Sequence, residues 1–290
     1  MKTYISLLRP KTLLVGLAPV ILALGVMIKK EIPINYTHYS LTILCITLLQ
    51  MGSNVANDLY DGIRGIDGQD RLGPKREAGE GTTSHKTLKH LTFSLFFFAF
   101  LIGSFLSFVT GFELFVLGTI SMLIAYCYTG GPLPLAYIGL GEVLALMFFG
   151  PVALFGTVYI QTKQCDLSIF LISLVPGLFS SSLMALNNYR DIHTDKKAGK
   201  KTVAVFLGEK GAKIITWTLF LCAMILFIIE LSSQPYKPTM VIFVIPLALA
   251  LITIRGLILT GHGRELNKFL ALISLTNFSI ALTYLLNQVI

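Results

Sequence analysis

Charge is scarce in this sequence. Only 13% of its 290 residues are Asp, Glu, Lys or Arg, against about 25% in soluble domains, while apolar residues reach 54%. So little charge cannot cover a water-facing surface, which excludes an ordinary soluble domain. Cysteine is sparse as well. The four cysteines, Cys45, Cys127, Cys165 and Cys222, show no paired spacing, and at least Cys45, Cys127 and Cys222 lie in apolar runs. They read as small core residues rather than a disulfide framework or a metal site. No Ser/Gly-rich linker or block of charge divides the chain, so residues 1–290 are expected to form one domain. A basic N-terminus precedes an apolar run, in the manner of a signal peptide. No small-residue cleavage site follows it, so the first run is expected to be retained.

Long apolar runs are what the sequence has instead. Stretches of about 20 apolar residues, the length that crosses a bilayer as a helix, occur at roughly 12–29, 39–59, 88–109, 112–129, 138–160, 167–189, 211–231, 239–259 and 268–287. Without barrel-type alternation, only helices satisfy their own backbone groups in lipid. The expected fold is therefore all-α, a polytopic membrane bundle of nine transmembrane helices. A net charge of +8 could suggest nucleic acid, but its distribution argues for a bilayer. With nine crossings, the N-terminus and the even-numbered connections carry nineteen of the twenty-three Lys and Arg residues. That asymmetry places this side in the cytoplasm. Lys29, Lys30, Lys163 and Lys237 fall on the other side.

Two acidic segments end apolar runs on the cytoplasmic side: Asn54-Val-Ala-Asn57-Asp58-Leu-Tyr-Asp61, continuing to Asp67 and Asp70, and Asn187-Asn188-Tyr-Arg190-Asp191, continuing to Asp195. Carboxylates near a bilayer core are expensive and usually functional. On a helix, Asn54, Asp58 and Asp61 share one stripe, and Asn187, Asp191 and Asp195 form a second. The motifs superpose with an offset of 130 residues, which suggests an internal repeat with the site where the halves meet. If the stripes converge, they line a cup with carboxylate and amide oxygens, the ligands that Mg2+ prefers. Like charges about 4 Å apart cost roughly 4 kcal/mol at an intermediate dielectric. A divalent cation would remove that repulsion and invite a phosphate. Arg71, Lys75 and Arg76 follow the first motif, and Lys200 and Lys201 the second. These cations suit non-bridging diphosphate oxygens, although positive-inside anchoring is the plainer role of each taken singly. Tyr126 and Tyr128 precede the uncharged turn Gly130-Gly131-Pro132, which stops one span and starts the next. Tyrosine is commonly enriched at such an interface.

These motifs, in this order, resemble those of the UbiA superfamily of intramembrane prenyltransferases. The likeness runs from Leu8-Arg-Pro-Lys-Thr12 through Asn54 to Arg76 with Asp70-Arg71-Leu-Gly-Pro74. It continues in Tyr128-Thr-Gly-Gly-Pro132 and Gly139-Leu-Gly-Glu142, and ends in Asn187 to Asp195, Gly199-Lys-Lys-Thr202 and Leu207-Gly208. Relatives that prenylate 4-hydroxybenzoate or haem typically carry a Lys-Arg pair where this chain has Gly130-Gly131-Pro132. The resemblance therefore favours the 1,4-dihydroxy-2-naphthoate polyprenyltransferase branch of menaquinone synthesis. It implies that Asn57, Asp58, Asp61, Asp191 and Asp195 hold Mg2+ and diphosphate, with Asn54 and Asn187 among the diphosphate contacts.

The reaction so implied moves a polyprenyl group from its diphosphate to an aromatic carbon, with carboxylate loss restoring aromaticity. Tyr126 or Tyr128 would offer a ring face to the allylic cation, and Asp67 is a candidate base. Acceptors such as 4-hydroxybenzoate stay open. So does a different class, a transporter or cation channel, although transporter sites tend to lie near the midplane on broken helices.

Overall fold

The structure, a computed structural model, describes residues 7, 9–65, 72, 73, 83–132, 134–164 and 166–290, without the side chains of Pro10 and Lys11. Asp67, Asp70, Arg71, Lys75 and Arg76, with Cys165, lie outside the described residues. Among the described residues every regular element is a helix.

Helix α1 covers Pro10–Lys29, α2 Tyr36–Ile63, α3 His85–Thr110 and α4 Phe112–Cys127. Next come α5, Gly141–Met147, and α6, Ala153–Thr162, joined through a π turn at Phe148–Val152 into one crossing. Pro151 sits in that turn and lacks the N–H that a regular α turn needs. Helix α7 covers Leu167–Arg190, the short α8 Ile192–Lys197, α9 Val203–Ser232, α10 Val244–Leu259 and α11 Leu266–Val289. Side-chain caps set several starts: Asn35, Ser84, Asp166 and Thr202 each accept a backbone N–H from the first turn that follows, satisfying donors that a helix N-terminus otherwise leaves open.

Among the described residues eight helices are long and apolar enough to cross a membrane, and the chain is a multi-pass membrane protein. The run expected over 112–129 forms the shorter α4, of 16 residues. At 1.5 Å per residue that is about 24 Å, against a hydrocarbon core of about 30 Å. Gly111 and the turn after Tyr128 bound it.

Helix α7 is central, packing against α9, α11 and α5. Ala18, Ala23 and Met27 of α1 share one core with Phe179 of α7, Phe220 and Phe227 of α9, and Ile273 and Ile280 of α11. Helix α3 runs antiparallel to α2: Leu88 packs with Val55 and Leu59, Phe96 faces Gly52, and the Cys45 thiol donates to the Ala99 carbonyl at 3.4 Å. Phe97, Phe98, Phe105 and Phe108 of α3 are exposed. Such an apolar surface suits lipid and not water.

At one end of the bundle Lys29 meets Glu230 at 2.8 Å and Lys30 meets Asp166 at 2.8 Å. Tyr284 also donates to Glu230, at 2.8 Å, and Lys237 Nζ donates to the Asn287 carbonyl at 3.0 Å. Three lysines assigned to one side by the charge count therefore sit at one end of the bundle. The last turns of α2 and α7, with both acidic motifs, lie at the other.

Helix α7 approaches α5 and the π turn at backbone distance. A Cβ on Gly177 would stand 2.5 Å from the Leu146 carbonyl oxygen and 3.1 Å from Gly150 Cα. Helix propensity favours Ala over Gly by about 1 kcal/mol, but overpacking against backbone costs about 1–3 kcal/mol. Gly177→Val should accordingly lower the thermal unfolding midpoint in detergent despite its better propensity, and an unchanged midpoint would show that the two segments separate freely.

Candidate functional site

Helices α2 and α7 bring their acidic ends to one cavity of about 90 Å³, the volume of about three waters. Asn57 and Asp61 enter it from α2, and Met184, Asn187 and Asn188 from α7. Asp191, Thr194 and Asp195 follow from the α7–α8 corner, Lys200 and Thr202 from the strap before α9, and Tyr128, Thr129 and Ala136 from the turn before α5.

The stripe expected on α2 is split by this geometry. Asn57 and Asp61, one helical turn apart, face the cavity. Asn54 donates to Thr12 Oγ1 at 3.0 Å, and Asp58, 3% exposed, pairs with Arg9 at 3.5 Å. These two do not line the cavity, because α1 packs beside α2 and its first turn takes up that side of the stripe.

On α7 the expected stripe holds together but is already neutralised. Arg190, 2% exposed, donates Nε to Asp191 Oδ1 at 2.8 Å and Nη2 to Asn187 Oδ1 at 2.7 Å. Its Nη1 donates to Asn267 Oδ1 at 2.7 Å, and Asn267 Nδ2 donates to the Leu72 carbonyl at 2.9 Å. Three segments, α7, its corner and α11, thus converge on one guanidinium, whose planar fork suits several oxygen acceptors at once, and Asn267 ties the chain at Leu72 to it. Burial pushes the Asp195 carboxyl up from its usual range, and repulsion from Asp191 and Asp61 adds to it. Lys200, at 3.3 Å, opposes the rise.

The turn between α4 and α5 supplies Tyr137, which sequence reasoning missed. Its hydroxyl donates to Asp61 Oδ1 at 3.4 Å. The Lys200 ammonium lies 4.9 Å from its ring centre and the Arg64 guanidinium 5.0 Å. Arg64 Nη2 also donates to the Gly131 carbonyl at 3.2 Å, pinning the turn to the end of α2. Gly131 has φ 74°, in the left-handed region where glycine avoids the steric cost of a side chain.

The remaining expected residues separate. Tyr128 lines the cavity. Tyr126 does not: its hydroxyl is hydrogen-bonded to that of Tyr60 and its ring packs against Phe93 and Phe96. Lys200 lines the cavity, whereas Lys201 is exposed and gives its backbone N–H to the Tyr137 carbonyl at 2.8 Å. Arg190, inside the second motif, was legible in principle from its spacing to Asn187 and Asp191. Tyr137 and Asn267 carried no such signal.

Among the described residues no three Asp, Glu, His or Cys side chains are close enough to enclose a metal ion. Asp61, Asp191 and Asp195 with the amide oxygens of Asn57 and Asn187 are nevertheless hard oxygen donors around one cavity. Mg2+ is commonly held by one or two carboxylates, with waters and substrate phosphates completing its coordination. The donor set fits an ion of that kind.

A helical membrane bundle with one such polar cavity at the ends of two pseudo-repeated helices defines the class. The chain belongs to the UbiA prenyltransferase family, whose model matches residues 17–279. It is 33% identical to the 1,4-dihydroxy-2-naphthoate octaprenyltransferase of Haemophilus influenzae over 97% of this chain and 94% of that protein. The enzyme of the same name from Mycobacterium tuberculosis is 33% identical over 80% of this chain and 79% of its own. In structure, the chain is similar to a UbiA homologue from Archaeoglobus fulgidus bound to DMAPP and Mg2+, with a TM-score of 0.68 at 19% identity, covering 98% of this chain and 99% of that one. A UbiA homologue from Aeropyrum pernix gives 0.72 at 16% identity, covering 94% and 97%. The structural likenesses establish the fold.

Tyr137→Phe tests the turn's part in the site. Burial and the neighbouring Asp61 push the phenol up to about 12, so the hydroxyl stays neutral and donating throughout the working range. At 3.4 Å the bond is long, so its removal should reduce turnover about two- to fivefold. The ratio of variant to wild type should stay constant from about pH 6 to about pH 9. A ratio that varied across that interval would mean that Tyr137 titrates there.

Proposed function

We propose that this protein transfers a polyprenyl group from polyprenyl diphosphate to 1,4-dihydroxy-2-naphthoate, releasing diphosphate and CO2 and giving demethylmenaquinol. The observation that carries this reading is the meeting of both acidic motifs with Lys200 in one cavity. It is joined by similarity to the naphthoate enzymes along nearly the whole chain.

Asn57, Asp61, Asp191 and Asp195 would hold Mg2+, with Asp58 steadied by Arg9 behind them. The ion supplies neutralisation of the diphosphate charge. Lys200 and Asn187 line the same cavity and bind diphosphate oxygens. Arg71, Lys75 and Arg76 complete that grip from the segment beyond α2. Supporting this, Leu72, next to Arg71, is tied through Asn267 to Arg190 at the second motif.

The allylic C–O bond breaks with its electron pair leaving on the diphosphate. Tyr128 offers a ring face to the resulting cation. The electron-rich naphthol ring attacks, a C–C bond forms, and loss of the ring carboxylate as CO2 returns an electron pair to the ring. The cavity lining is polar, so the isoprenoid tail lies along the apolar bundle surface.

Nine crossings are part of the same reading. Helix α4 packs back along α3, with Phe115 against Phe100 and Tyr126 against Phe93. It therefore begins at the lysine-clamped end and finishes at the cavity, despite its length. In this reading the positive-inside bias assigns the cavity, the N-terminus and the even-numbered connections to the cytoplasmic face of the cell's inner membrane.

Purified protein given Mg2+, a farnesyl or longer diphosphate and 1,4-dihydroxy-2-naphthoate should form a prenylated, decarboxylated naphthoquinol. Product only from 4-hydroxybenzoate would keep the mechanism and overturn the acceptor. Asp61→Asn should lower turnover at least about a hundredfold with little change in melting temperature. Asp191→Asn should do the same but also cost about 1–3 kcal/mol of stability, because it weakens the partner of a buried guanidinium. Substantial activity in either variant removes that residue from the site.

A further inference from the structure

We infer that Glu142 is a positioning residue for the aromatic acceptor, acting by fixing which atom Asn188 presents to the cavity. Glu142 opens α5 and is 5% exposed. Its Oε1 accepts from Asn188 Nδ2 at 2.9 Å, and its backbone carbonyl accepts from Ser181 Oγ at 2.8 Å. Oε2 is buried and has no hydrogen-bond partner among the described residues. A carboxylate so placed in a membrane bundle is costly, and packing alone would be served at lower cost by an apolar side chain.

The carboxylate does what an apolar group cannot. Oε1 accepts, so it holds Asn188 with Nδ2 inward and leaves Oδ1 as the atom for the cavity that Asn188 lines. Beside it, Tyr128 Oη donates to Met184 Sδ at 3.2 Å, giving an aromatic and thioether wall. Gly141 lets these groups close up: a Cβ there would meet Tyr128 Oη at 3.2 Å, Met184 Cγ at 3.3 Å and Asn188 Nδ2 at 3.6 Å. This corner is a separate set of contacts from the one joining Asp61, Tyr137, Lys200 and Asp195. One amide oxygen beside a flat, polarisable wall suits an aromatic ring carrying a hydroxyl donor, and not the diphosphate.

The inference rests on the prenyl-transfer reading, and its test separates the two. Steady-state kinetics would vary acceptor and prenyl diphosphate independently in wild type, Glu142→Gln, Asn188→Asp and the double variant. A glutamine amide can donate or accept, so Asn188 is no longer held one way. The acceptor KM should rise about tenfold, the size of one lost hydrogen bond, while the diphosphate KM and the melting temperature hold. Asn188→Asp sets carboxylate against carboxylate and should lose more. Combining both substitutions restores a one-way bond with donor and acceptor exchanged, and the acceptor KM should return to within about threefold of wild type. Equal rises in both KM values, or a double variant no better than Asn188→Asp alone, would overturn the role of Glu142. A wild-type protein that prenylates neither naphthoate nor hydroxybenzoate would instead overturn the reading beneath it, and this inference with it.

Discussion

The guanidinium of Arg190 is the interaction on which the acidic end of this bundle depends. A helix that leaves a bilayer with Asn187, Asp191 and Asp195 on one side needs a compensating charge, since unpaired carboxylates are costly near an apolar medium. Arg190 supplies it from within the same turn and, being almost fully buried, spreads its donors over Asp191, Asn187 and Asn267. Asn267 in turn holds the Leu72 carbonyl. One cation thus joins the central helix to the last helix and to the connection after α2. It also leaves Asp195 to a different cation, Lys200.

That arrangement would drift without restraint at the far end. The Lys29–Glu230 and Lys30–Asp166 pairs tie α1 to α9 and α7 where no chemistry is needed. Lys30 and Ser168 hold the Asp166 carboxyl well below the usual range, helped by the backbone N–H of Ile169 that it caps. Between the two ends, Gly150 and Gly177 let the π turn and α7 approach at backbone distance. Small residues serve this purpose in membrane helices, where apolar burial between helices gains little over contact with lipid. At the cavity Gly141 does the same for Tyr128, Met184 and Asn188, the last of them bonded to Glu142.

Much of this was legible along the chain. Asp61, Asp191 and Asp195 stood out because charge is rare here and its cost in lipid makes each instance informative, and Asn57 stood out with them as part of the repeated motif. The two faces of the bundle followed from the lysine and arginine count, for the same reason. Family membership was readable because the motifs are long and ordered. The stripe on α2 is divided by its neighbours: Asn54 and Asp58 turn toward α1, while Asn57 and Asp61 face the cavity. A helix has a face for every set of positions one turn apart, and only its neighbours choose among them.

The sequence by itself determined the solvent this protein lives in, the apolar runs that form its long helices and the placing of its charges at their ends. All of these follow from local composition and the price of charge in hydrocarbon. Tertiary structure alone decided which oxygens share a cavity, that Asn267 of the last helix reaches Arg190, that Tyr137 reaches Asp61, and that Tyr126 turns away toward Tyr60. Each of these is a contact between residues far apart in the chain, set by how helices pack and rotate, and no local pattern encodes it.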